Sequence, residues 1–197
     1  MGRGAATAWF LLAWAARGEV VCALGQGVSA YHAASDERPS TDALELARRV
    51  NGALKSICGN QCPTMALFRN ASAPNLMLVN NSGNAKMVYS PPFFEASYAS
   101  FGDEGILALI SHEVGHALDS TLGAKFVNQS WSPEVRADAW AGCVLAKLEA
   151  KLEPSLGALA KYPPPSHPAW GQRLPALRAG FRACGGDSSG SINGSKR

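Results

Sequence analysis

The stretch with the most definite chemistry is Ile110-Ser111-His112-Glu113-Val114-Gly115-His116. Two histidines four residues apart on a helix share one face, so His112 and His116 can present their imidazoles to a single point. That spacing supplies two ligands of a tetrahedral zinc site, one ion per chain, and places Glu113 as a general base rather than as a ligand. A third ligand must come from elsewhere. Glu134 and Asp138 are again four apart, on a segment opened by Ser132-Pro133, which reads as an N-cap followed by proline at the first helical position. Glu134 is the expected third ligand. Asp138, one turn on, is the expected carboxylate that accepts the other ring N–H of a ligand histidine and fixes its tautomer. Without the histidine pair, the same two acids would read as exposed charges paired with Arg136 or Lys147. Asp119, three residues after His116, either backs a ligand histidine or is a solvated acid at the helix end. His167, at the start of the last helix, is placed to steady an oxyanion, and Arg173 to hold a substrate carbonyl or carboxylate or to lock His167.

These residues need elements to carry them. Thr41 to Ile57 reads as an amphipathic helix, capped by Ser40 or Thr41, with acids early and bases late. The helix bearing the histidine pair is expected from about Asp103 to Ser120, a further helix from Ser132 to about Leu152, and a last one from His167 to near Cys184. Leu76–Val79 and Lys86–Tyr89 flank Asn80-Asn81-Ser82-Gly83-Asn84 and suggest a hairpin. Such a strand beside a metal-site helix can offer an edge to an extended peptide. Ser90-Pro91-Pro92-Phe93-Phe94 stops the second strand, and its two aromatics read as core. Residues 24–40 and 121–131 read as irregular, 58–64 as a Cys-Pro-Gly loop, and Tyr162–Ser166 as a proline-rich break. The fold class expected is mainly α (α+β), with a small N-terminal β-hairpin or short sheet.

A chain of 197 residues suits one domain with a real core, and 47% apolar with 17% charged residues is a globular composition. A net charge of +3 with no basic stripe is too mild to imply a nucleic-acid or membrane-surface partner, and no nucleic-acid partner is expected. Arg3 followed by the uncharged run Ala5–Ala16 resembles a signal peptide, and the run is shorter than the roughly 20 residues that span a bilayer. Cleavage fits after Ala15 or after Ala23, the later site being preferred because it removes Cys22 and leaves an even set of cysteines: Cys58, Cys62, Cys143 and Cys184. Four cysteines in a secreted domain imply two disulfides with three connectivities, and Cys58 and Cys62 either close on each other or divide between partners. The organisation expected is a signal peptide over 1–23, one domain over 24–185 and a disordered Gly/Ser-rich tail over 186–197. The protein would then be extracellular with no stable membrane span; an uncleaved signal would instead anchor it. Sequons at Asn70, Asn80, Asn128 and Asn193 are compatible with a secretory route and a glycoprotein.

The order Ser90-Pro-Pro-Phe-Phe94, His112-Glu-Val-Gly-His116-Ala-Leu-Asp119, Glu134-Val-Arg-Ala-Asp138, then His167 with Arg173 six residues later and Phe181-x-x-Cys184, resembles the C-terminal catalytic part of the neprilysin and endothelin-converting enzyme family. The resemblance implies a zincin-like catalytic domain and a zinc metalloendopeptidase acting on peptides or small proteins. It implies zinc on His112, His116 and Glu134, Glu113 as base, Asp138 behind a ligand histidine and His167 as transition-state stabiliser. The family's chains are several times longer and carry a helical lid absent here, and only seventeen residues separate His116 from Glu134. The family has an Asn-Ala pair on a substrate-binding edge strand; neither Asn75 nor Asn80 precedes an alanine, and no role is carried over to them. The integral-membrane CAAX prenyl proteases share H-E-x-x-H, E-x-x-A-D and H-P-x4-R, but the chain lacks their hydrophobic spans. A catalytically degenerate, secreted peptide-binding module is the remaining alternative.

Overall fold

Helix starts and stops in this chain follow its capping residues. The structure is a computed structural model that describes residues 19–24, 31–81, 84–123, 125–161 and 167–187. Helix α1 covers Thr41–Cys58; its N-cap Ser40 accepts a hydrogen bond from the Ala43 amide, and Gly59 closes it with φ 58°. Its apolar stripe buries Ala43, Leu46, Ala47, Val50, Ala53 and Leu54. Helix α2 covers Pro91–Leu122. It starts twelve residues ahead of the expected Asp103, because Pro91 and Pro92 follow Ser90 directly into the first helical turn, where a missing N–H costs nothing. Gly102, at φ 60°, kinks it, and the half after the kink is the helix the sequence predicted. In that half Gly105 to Gly115 is buried without interruption, His112 and Glu113 included, so it forms the central helix of the core. Phe93 and Phe94 line one apolar cavity with Ile106, Leu109 and Ile110 of the same helix.

The helix α3 is Pro133–Lys147, with Ser132 accepting from the Val135 amide. It does not reach Leu152: Glu149 takes φ 54°, and an additional helix α4, Leu152–Lys161, follows and packs on α2 where Ala158 lies against Gly105. Helix α5, Trp170–Ala183, ends the described chain. Helices α2, α3 and α5 approach closely because glycines line the crossings. Cβ atoms built on Gly115, Gly142 and Gly180 would lie 2.2, 2.0 and 1.7 Å from backbone carbonyl oxygens of the facing helix. The disulfide Cys143–Cys184 ties α3 to the end of α5, and Cys58–Cys62 closes on itself.

A small four-stranded sheet completes the fold, in the order β1-β3-β4-β2. Strands β3, Leu76–Asn81, and β4, Asn84–Tyr89, form the expected antiparallel hairpin with Leu78 opposite Met87. They are the two inner strands. Strand β1, Glu19–Leu24, covers the free side of β3 antiparallel, and β2, Ala66–Arg69, covers β4 in parallel. The hairpin therefore offers no open edge to a peptide while β1 is in place. Five of the six β1 residues precede the cleavage position after Ala23, whereas cleavage after Ala15 leaves the strand whole. The rest of the expected signal segment and residues 188–197 of the expected tail lie outside the described residues. No described helix is long and apolar enough to cross a membrane.

Just past the end of β2, Asn70 is buried and fully engaged. Its amide donates to Asp36 and to the His32 carbonyl, and its oxygen accepts from the Ser72 amide and hydroxyl. The folded protein thus gives no access to this sequon, while Asn128 is exposed in the α2–α3 loop. The side chain of Asn80 and all of Asn193 lie outside what the structure describes.

Candidate metal centre

Two helices bring the ligand candidates together. His112 and His116 lie one turn apart on α2, and Glu134 sits in the first turn of α3, where the helix dipole favours its charge. One ligand atom from each of the three lies within 4.8 Å of the other two. Glu134 Oε2 is 3.2 Å from His112 Nε2 and 3.3 Å from His116 Nε2. The set could hold a metal ion by its chemistry, two imidazoles and a carboxylate. It also fits by what is left unmet: His116 Nε2 and Glu134 Oε2 are both buried and neither makes a directed hydrogen bond among the described residues. Buried polar atoms of that kind are rare unless something else engages them.

Behind the ligands stands a buried charge relay of fixed geometry. His112 Nδ1 lies 2.9 Å from Asp138 Oδ1, which assigns the proton to Nδ1 and leaves Nε2 for a metal. Arg173 in turn grips Asp138 with two bonds, Nε to Oδ2 at 2.7 Å and Nη2 to Oδ1 at 2.9 Å. All three side chains are fully buried. Burial disfavours a charged His112, but Asp138, Glu134 and Glu113 outweigh it, so the metal-free imidazole is pushed up to about 9. Burial likewise disfavours the Glu134 and Asp138 carboxylates, and their histidine and arginine neighbours overcome this and hold both well below the usual carboxylate range.

Each predicted site residue has a definite place. Glu113, fully buried, follows His112 on α2 and stays outside the ligand trio, close enough for its charge to act on His112. His167 sits three residues ahead of α5 with its ring buried, and its Nε2 is 2.6 Å from Glu134 Oε2 and 3.4 Å from His112 Nε2. Arg173 departs from expectation. Its buried guanidinium gives Nε and Nη2 to Asp138 and lies over the Trp170 ring, so it is engaged within the core rather than exposed to a substrate carboxylate. Asp119 departs as well: it accepts from Arg136 Nε at 2.8 Å, and Arg136 also reaches the Trp131 carbonyl, so this acid fastens the end of α2 to the start of α3. Among the described residues Arg136 forms its ion pair with Asp119, not with Glu134 or Asp138.

Gly115, which no motif marks, sets the distance between the two helices that carry the ligand candidates. It lies between the two histidines, directly against the Ala137 carbonyl of α3. The sequence signal was present: a glycine between the two histidines of a buried helix costs helix propensity and calls for a packing reason. Compared with known proteins, the chain matches no family model, no curated protein and no solved structure.

Proposed function

We propose that the protein is a secreted, zinc-dependent metalloendopeptidase with a zincin-like catalytic domain, acting on peptides or small proteins. The observation that carries this reading is the meeting of His112, His116 and Glu134 within 4.8 Å, backed by Asp138. A zinc ion held there would act as a Lewis acid on the scissile carbonyl and make water acidic enough to attack near neutral pH. Glu113 takes the proton from the attacking water on its carboxylate and delivers it to the leaving amine nitrogen. Asp138 keeps the His112 proton on Nδ1 and, held by Arg173, keeps the ring in its orientation. His167 offers a ring N–H to the oxygen that becomes negatively charged. The two disulfides are compatible with an extracellular setting.

The test has two parts. Purified protein is assayed for zinc content, wild type beside Glu134→Ala, with about one zinc per chain expected in the wild type and a large loss in the variant. Peptide hydrolysis is then compared between wild type and Glu113→Gln, with turnover expected to vanish while zinc is retained. Wild type that carries no zinc refutes the enzyme reading. Zinc-loaded wild type that binds peptides without cleaving them supports the degenerate peptide-binding module instead.

A further inference from the structure

We propose that Asn128 carries an N-linked glycan and that its first sugar packs on the exposed ring of Phe126. This rests on the secretory part of the reading above and not on the metal centre. Two sequons have described side chains, Asn70-Ala71-Ser72 and Asn128-Gln129-Ser130. Both fold into the same local turn. The Ser72 amide and hydroxyl donate to Asn70 Oδ1 at 2.9 and 2.7 Å, and the Ser130 amide and hydroxyl donate to Asn128 Oδ1 at 2.9 and 2.8 Å. Local geometry therefore does not separate the two. What differs is the amide nitrogen, the atom that would bear the sugar. Asn70 Nδ2 donates to Asp36 at 2.8 Å and to the His32 carbonyl at 3.0 Å, on a residue only 2% exposed. A sugar there would have to break one of these bonds and open the packing around a buried residue. Asn128 Nδ2 donates to no group among the described residues, and residues 128–130 are all exposed.

The donor is an oligosaccharide carried on a polyprenyl diphosphate, brought by a transferase of the secretory route. Asn128 Nδ2 bonds to the anomeric carbon of the first sugar, and the bond from that carbon to the diphosphate oxygen breaks. The polyprenyl diphosphate leaves with the electron pair, and one amide proton passes to a base of the transferase. Phe126 stands two residues ahead. Val127 between them is 4% exposed, whereas Phe126 and Asn128 both lie at the surface. The Phe126 ring rests on the buried Trp140, with centroids 4.8 Å apart and planes at 60°, yet 37% of the residue stays exposed. The negative face of an aromatic ring attracts polarised C–H groups, which a pyranose presents on its flat side. A first sugar on Asn128 thus covers apolar surface that the fold leaves open, and it does so in the loop that joins α2 to α3.

The experiment expresses the full chain in eukaryotic secretory cells and maps its glycopeptides by mass spectrometry. Asn128 is expected to be occupied and Asn70 bare in the secreted protein. Asn128→Gln and Ser130→Ala should each remove one glycan by gel mobility, and Ser130→Thr should keep it. Secreted wild type with a bare Asn128 overturns the proposal, and a glycan on Asn70 in folded, secreted protein overturns the burial argument. Wild type that stays in the cytosol overturns the secretory reading instead. The full chain is then placed behind a foreign cleaved signal, where a bare Asn128 overturns the site itself, so the two failures are distinguished. For the packing, the glycan is trimmed enzymatically to a single N-acetylglucosamine. This form is expected to melt about 1–3 °C above Asn128→Gln, and the difference should vanish when both carry Phe126→Ala. A difference that is absent, or that survives loss of the ring, overturns packing on Phe126.

Discussion

Replacing Gly115 by alanine tests whether helix spacing builds the metal site. A Cβ at this position would lie 2.2 Å from the Ala137 carbonyl oxygen, 2.9 Å from its carbon and 3.0 Å from its Cα. Non-bonded carbon contacts are comfortable near about 3.5 Å, so α3 must retreat from α2 by roughly 1 Å. The neighbouring atom is backbone in mid-helix, so no side-chain rotation relieves the clash. Overpacking of this kind costs about 1–3 kcal/mol, which the folded state of a domain this size can bear. The ligand geometry cannot. Glu134 rides on α3 and the two histidines on α2, and their separations of 3.2 and 3.3 Å would open by the same amount. Metal sites tolerate departures of only about 0.2 Å in bond length. Gly115→Ala should therefore weaken zinc binding by about 10–100-fold while circular dichroism still shows a helical fold. Gly52→Ala is the control. It lies in α1 with no atom within 4 Å of the added methyl, so it should stabilise the protein by about 0.5–1 kcal/mol and leave zinc affinity unchanged. Chelator competition measures both. If Gly115→Ala binds zinc as tightly as wild type, the spacing of α2 and α3 does not determine the site.

Arg173→Met leaves the buried Asp138 carboxylate without its bidentate partner, and urea unfolding should show a loss of about 3–5 kcal/mol that Asp138→Asn in the same chain partly restores. Arg173→Lys should rescue little, since an ammonium cannot reproduce the two-point grip. Lys86 faces Asp36 and Tyr31; burial works against its charge, but the Asp36 bond prevails and holds it above its ordinary 10.5. Tyr31 is raised too, through burial and the same acid, so the folded protein binds the extra protons. This contribution to stability is complete below about pH 10 and is lost as pH rises through the raised values, so melting temperatures of wild type and Lys86→Met should converge as the pH is taken above the ordinary lysine range. Opening the Cys143–Cys184 bridge, whose cysteines are 41 residues apart, should cost about 4 kcal/mol by the loop-entropy relation, against about 2 for Cys58–Cys62 with a separation of 4. Denaturant midpoints of the two double-serine variants check the ranking.

Much of this protein is local, and local features are legible in the sequence. The four-residue spacing of His112 and His116 is a helix face by arithmetic, and Ser40, Ser132 and the prolines after Ser90 and Ser132 mark helix starts through bonds within one turn. The hairpin 76–89 follows from two apolar runs about a tight connection. Helix α4 and strand β2 escaped because short apolar runs such as 152–159 and 66–68 carry no period of their own. Their state is decided by what they pack on. Strand β1 lies in a segment whose apolar composition reads equally as a targeting signal. Tertiary structure alone decided that Arg173 belongs to Asp138, that Asp119 belongs to Arg136, and that Cys143 joins Cys184. A charged side chain in sequence has several partners within reach, and only burial of the whole network selects one, because an unpaired ion in the core costs more than any single bond returns. The same holds for His167. Its residue type and its Pro168 neighbour are visible in the chain, but its position against Glu134 and His112 exists only once α2, α3 and the start of α5 have closed around one another.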